Sequence, residues 1–91
     1  MKISIDRSQF AGALTAYQFE AKWRKYANPA SRLEKAEIGK HEDGKYRVYL
    51  YYEREAHALT LREVADFLFC ERVLVGKVGR NQVLCMIKKG V

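Results

Sequence analysis

The chain has 91 residues, 48% of them hydrophobic, with a single proline and a formal net charge of +6 from 17 basic and 11 acidic residues. That length leaves room for one compact domain over 1–91 and no second, since a chain this short buries only about 60–65% of its unfolded surface. The positive surplus favours a polyanionic partner, either nucleic acid or an acidic protein surface. No stretch approaches the roughly 20 apolar residues of a membrane span, and the amino terminus MKISIDRSQF lacks the apolar centre of a signal peptide, so a cytoplasmic protein away from membranes is expected. Cys70 and Cys85 lie in apolar runs without metal-ligand spacing, which suits buried free thiols in a reducing compartment.

Residues 2–5, KISI, read as a strand with Ile3 and Ile5 on one face. Asp6 and Gln9 have capping-box spacing, and Ile5 and Phe10 occupy the positions of a hydrophobic staple. A helix is therefore expected from Asp6 to about Ala27, stopped by Asn28 and Pro29. Its stripe Phe10, Leu14, Tyr17 and Ala21 should dock on a sheet. On nearly the opposite side Phe19, Trp23 and Tyr26 repeat the spacing. They are either covered by the chain itself or form, with Lys22, a partner or homodimer surface.

Residues 34–53 predict a hairpin around Glu42-Asp43-Gly44. A two-residue turn would place Ile38 opposite Tyr49. A three-residue turn with a left-handed Gly44 instead pairs Ile38 with Val48 and Ala36 with Leu50, which makes one apolar face. The other face then collects Lys35, Glu37, His41, Lys45, Arg47, Tyr49 and Tyr51. After a connection at 54–59, Thr60 and Glu63 form a capping box, with Leu59 and Val64 as staple, and Leu61, Val64, Ala65 and Leu68 as the buried stripe. Residues 73–78 and 83–87 read as a last hairpin, apolar on both faces, followed by a basic tail at 88–91. No repeat, low-complexity tract or linker is evident.

The expected fold class is α+β, a single domain in β-α-β-β-α-β-β order. Two helices would lie on one face of a mainly antiparallel sheet, a ferredoxin-like order with an extra carboxy-terminal strand. This order resembles that of an RNA-recognition domain, in which aromatic residues of a central strand stack on bases. The resemblance is one of topology. The Gly-aromatic-Gly-aromatic spacing of that family is absent, with Val48 and Leu50 standing between the outward residues, and Lys2 and Ser4 stand where an aromatic would be expected.

Residues 59–68 also resemble the first helix of a helix-turn-helix reader. A recognition helix would then have to occupy 72–80, where Gly76, Gly79 and Val73-Leu74-Val75 predict strand. His41 and His57 lie far apart in sequence, and no carboxylate pair, nucleophile triad or glycine-rich phosphate loop is present. Only a dispersed ribonuclease-like set of His41, Arg47 and Tyr49 would speak for an enzyme. The sequence thus predicts a small basic binding module with no catalytic residue, cofactor or metal. Nucleic acid would be held by Lys35, His41, Lys45, Arg47, Tyr49 and Tyr51. The alternative is a protein-binding adaptor or inhibitor using Phe19, Lys22, Trp23 and Tyr26. Either role would suit a regulatory protein of a phage or mobile element.

Overall fold

The computed structural model describes residues 7–26 and 32–89. After a 3-10 turn at Arg7–Gln9 come β1 (Phe10–Thr15), α1 (Ala16–Tyr26), β2 (Leu33–Lys40), β3 (Tyr46–Tyr52), β4 (Ala56–Thr60), α2 (Leu61–Phe67), β5 (Arg72–Val78) and β6 (Asn81–Ile87). Among the described residues the fold is α+β with two helices in the expected order, and a short strand, β4, is added where a connection was expected. Its strands form two three-stranded antiparallel sheets, ordered β1-β6-β5 and β2-β3-β4, rather than one continuous sheet. The expected strand at 2–5, the Asp6 cap and the Asn28-Pro29 stop lie outside the described residues.

The first helix starts at Ala16, not at Asp6. Its N-cap is Thr15, whose Oγ1 accepts the Gln18 N–H at 3.1 Å while Gln18 Oε1 accepts the Thr15 N–H at 2.9 Å. That reciprocal pair is a capping box, and Leu14 and Phe19 occupy its staple positions. Residues 10–15 are extended because β6 offers them a ladder, with Ala13 opposite Cys85 and Leu14 opposite Leu84. A bulge between Phe10 and Gly12 accompanies the pairing. The later start also turns the helix over: Phe19 and Glu20 are buried, whereas Tyr17 and Ala21, expected on the docked stripe, are exposed. The second helix starts as predicted, with the Thr60–Glu63 capping box formed in both directions.

Both sheets and both helices close one core, in which Leu14, Phe19, Leu33, Val48, Leu50, Val64, Val73 and Leu84 are buried and Trp23, Ile38, Leu59, Phe67 and Val75 pack against them. Burying side chains of this size contributes about 1.5–3 kcal/mol each. Glu20 is the one charged group among the buried described residues. One carboxylate oxygen accepts the Ala36 N–H at 3.0 Å and the other lies 3.4 Å from Arg24. Arg24 in turn donates to the carbonyls of Leu33 and Glu34 at 3.0 and 2.8 Å. Side chains of helix α1 thereby occupy the backbone groups of Leu33, Glu34 and Ala36, which blunts the first half of the free edge of β2.

The registers reveal a repetition that the sequence does not display. The elements β1-α1-β2-β3 and β4-α2-β5-β6 each run strand, helix, hairpin, and each half lays its first strand against the other half's hairpin. Inward rows match, Leu14–Leu84–Val75 in one sheet and Leu59–Val48–Ile38 in the other. Outward rows match too, Ala13–Cys85–Leu74 against Ala58–Tyr49–Glu37. Even the closing hydrogen bonds correspond, Lys88 N–H to the Gln9 carbonyl at 2.7 Å and Tyr52 N–H to the Glu55 carbonyl at 2.8 Å. In sequence the shared pattern is confined to the helix starts, Leu14-Thr15-x-x-Gln18-Phe19 and Leu59-Thr60-x-x-Glu63-Val64.

Glu20→Ala is expected to destabilise the domain by about 2 kcal/mol, because it strands the buried Ala36 N–H. Thr15→Ala is expected to cost about 1 kcal/mol through the lost cap. Urea unfolding measures both, and an unchanged midpoint for Glu20→Ala would remove the edge cap from the account of stability.

Candidate nucleic-acid interface

The hairpin adopts the register that makes one apolar face, with Ile38 opposite Val48 and Ala36 opposite Leu50. The turn is Glu42-Asp43-Gly44, closed by His41 N–H to the Lys45 carbonyl at 2.8 Å, and Gly44 takes a φ of 82° that a Cβ would strain. Val48 and Leu50 are 0% and 1% exposed, while Arg47, Tyr49 and Tyr51 point to the opposite face and remain half-buried. β3 is the central strand of its sheet, so these three side chains form the midline of an outward surface.

Their neighbours set the shape of that surface. Across β4 stand Thr60, Ala58 and Ala56, and across β2 stand Gly39, Glu37 and Lys35. The Tyr49 ring lies over Gly39, where a Cβ would come within 3.0 Å of it, and its hydroxyl is 3.2 Å from His41 Nδ1. The Tyr49 and Tyr51 rings are 6.5 Å apart between centroids and inclined by 28°, with Lys35 Nζ 5.1 Å from the centre of the Tyr51 ring. All six sequence-predicted residues, Lys35, His41, Lys45, Arg47, Tyr49 and Tyr51, are brought together on this face or at its hairpin end.

Charge on the face is partly cancelled. Lys35 pairs with Glu37 at 3.0 Å and Arg47 with Asp43 at 2.7 Å. The Lys35 ammonium is held above its usual range, first by that hydrogen bond to Glu37. The Asp43 carboxyl is held below its usual range, first by the Lys45 backbone N–H and then by Arg47. The Asp43 interactions therefore stabilise the fold at neutral pH and are lost as the pH falls through that depressed value, an effect that solvent screening keeps small. Lys45 has no ion-pair partner among the described residues.

The second predicted surface is only partly at the surface. Phe19 is 0% exposed and belongs to the core, so it cannot contact a partner. Trp23 is half-buried by its own chain, donating from Nε1 to the Tyr52 hydroxyl at 2.9 Å and lying 4.8 Å from the Phe67 ring. Lys22 and Tyr26 are exposed. With Asp66, Phe67, Leu68 and Phe69 they line a cleft of about 420 Å³.

The sequence pattern does not single out Phe69. It is 84% exposed and holds a φ of 57° just past Leu68, the C-cap of α2. The Cys70 N–H bonds to the Ala65 carbonyl at 3.0 Å and the Phe69 N–H to the Asp66 carbonyl at 3.3 Å, which is the Schellman pattern with phenylalanine where glycine is usual. The available signal was a helix that had to end before Val73 with no glycine to end it. No group of His, Cys, Asp and Glu able to hold a metal occurs among the described residues. No helix of the described residues is long and apolar enough to cross a membrane. Cys70 is buried, with its thiol pKa pushed up by that burial, and Cys85 is half-buried; both are free.

Comparison of the chain with models of known protein families, with curated proteins and with solved structures returns no match.

Phe69→Gly is expected to stabilise the domain by about 1 kcal/mol by relieving the left-handed backbone, and Gly44→Ala to destabilise it by about 1 kcal/mol for the converse reason. Thermal unfolding of both variants beside the parent chain checks the pair.

Proposed function

We propose that the protein is a small single-stranded nucleic-acid-binding module that uses the outward face of β2-β3-β4. The observation that carries this reading is the pair Tyr49 and Tyr51, side by side on an open face and bordered on one side by Ala56 and Ala58. Alanines there leave the ring faces within reach of a base, and base–aromatic stacking contributes about 1–3 kcal/mol per base. Lys35, Lys45 and Arg47 flank the rings and supply phosphate contacts. The equivalent outward positions on β6 are Val83, Cys85 and Ile87, so the backbone framework does not itself require basic or aromatic residues there.

A second reading rests on Phe69. A strained, exposed phenylalanine beside Tyr26 and Phe67 favours a protein contact, since bulky residues take positive φ rarely and adjoining exposed apolar side chains mark interaction surfaces.

Titration of labelled DNA and RNA oligomers at several salt concentrations tests the first reading. Tyr49→Ala and Tyr51→Ala are each expected to weaken binding by about 1–3 kcal/mol without altering the salt slope, because stacking releases no counterions. Lys35→Ala is expected to make the slope shallower by about 0.7 for a single strand. Absence of binding at low salt would pass the case to the second reading, which sedimentation of the parent and Phe69→Ser chains over a concentration series examines for self-association.

A further inference from the structure

The repetition of the fold supplies an internal comparison. Each half has a cleft where the start of its helix meets the start of the strand paired with it. One, of about 470 Å³, is lined by Thr15, Ala16, Tyr17, Asn81 and Gln82, with Glu37 and Ile38. The other, of about 540 Å³, is lined by Thr60, Leu61, Arg62, Lys45, Tyr46 and Arg47, with Gly44. Registers and helix starts place Arg62 at the position of Tyr17, Lys45 at that of Asn81 and Arg47 at that of Val83. The first cleft holds no basic residue and one carboxylate. Its counterpart holds three basic residues and no carboxylate in its lining.

We infer that the Lys45–Arg47–Arg62 cleft is a phosphate-binding subsite that receives the backbone of an oligonucleotide whose bases lie on Tyr49 and Tyr51. This rests on the reading of the sheet face given above and adds where the strand is anchored. Arg62 and Lys45 have no ion-pair partner among the described residues. Arg47 is shared, because it lies in the cleft and also heads the outward row that continues to Tyr49 and Tyr51, successive members of which stand about 6.6 Å apart. A guanidinium matches phosphate through two parallel donors, and two of the three cations are arginines. Asp43 competes for Arg47 at 2.7 Å, so an arriving phosphate must displace it. The pairing keeps Arg47 in place at the mouth of the cleft until that exchange occurs.

The test compares Arg62→Glu with Arg80→Glu, a charge-matched change at the exposed turn between β5 and β6. The probe is a labelled oligothymidylate without terminal phosphate, titrated at several salt concentrations. Arg62→Glu should weaken binding about tenfold or more and make the salt slope shallower by about 0.7, with Arg80→Glu within about twofold of the parent. Asp43→Asn keeps an acceptor for the Lys45 N–H and should tighten binding roughly threefold by freeing Arg47. A second arm follows backbone amide resonances while inorganic tripolyphosphate is added. Shifts should concentrate at Lys45, Arg47, Leu61 and Arg62 and spare Tyr17, Asn81 and Val83. Equal weakening by the two arginine variants overturns the subsite while leaving the sheet face as the binding surface. Tripolyphosphate shifts in the cleft without oligonucleotide binding overturn the nucleic-acid reading and leave a site for free polyphosphate. Failure of both probes overturns both.

Discussion

The structure depends on a mutual loan of strands. β1 belongs to the first half by sequence but completes the sheet of the last hairpin, and β4 completes the sheet of the first. Leu14 sits opposite Leu84, some seventy residues away along the chain, whereas Leu59 sits opposite Val48 across a tight turn. The β2-β3-β4 meander is therefore closed by local contacts, and β1 has to find a partner at the far end of the chain. Neither half can bury its inward row alone. The helices follow from this arrangement, since α1 runs from β1 of one sheet to β2 of the other and α2 from β4 to β5. Each helix thus spans the two sheets and places its apolar face, Phe19 and Trp23 or Val64 and Phe67, in the core that they share.

Two near-equivalent sheets leave two outward faces, and these differ in composition. On β6 the outward residues are Val83, Cys85 and Ile87, of which Val83 and Ile87 are buried. On β3 they are Arg47, Tyr49 and Tyr51, which remain accessible. Both faces keep one feature, a glycine on the adjoining strand beside the central outward side chain. A Cβ on Gly39 would meet the Tyr49 ring at 3.0 Å, and one on Gly76 would meet Cys85 Sγ at 3.1 Å. The shared feature answers to packing. The difference between the faces is not required by the backbone framework, and the proposal for the tyrosine face rests on that difference.

Net charge alone is a poor guide to that site. Of the chain's surplus of +6, the face and its hairpin end keep little, because Glu37 and Asp43 neutralise Lys35 and Arg47. The exposed Lys35–Glu37 pair is worth about 0–1 kcal/mol, whereas the Arg47–Asp43 pair holds a guanidinium that is mostly covered. Both hold long side chains in defined positions.

The hairpin was legible because its information is local. The alternation Val48, Leu50 against Arg47, Tyr49, Tyr51 and the position of Gly44 determine turn, register and facing within about twenty residues of chain. The Thr60–Glu63 box was legible for the same reason. The first helix was misplaced because residues 6–10 carry a capping box and staple as good, by pattern, as the one at Thr15–Gln18. What decides between them is β6, which offers residues 10–15 a ladder that no local pattern announces. That single pairing turned the helix face over, took Phe19 from candidate surface to core, and exposed Tyr17. Phe69 is not legible in the sequence because phenylalanine carries no left-handed preference of its own, so only the path from α2 to β5 places it there. The sequence by itself thus determined the α+β class, the β2-β3 register, the composition of the tyrosine face and the start of the second helix. Tertiary structure alone decided the division into two sheets, the exchange of first strands and the juxtaposition of Arg62 with Lys45 and Arg47, because each depends on residues that only long-range pairing brings together.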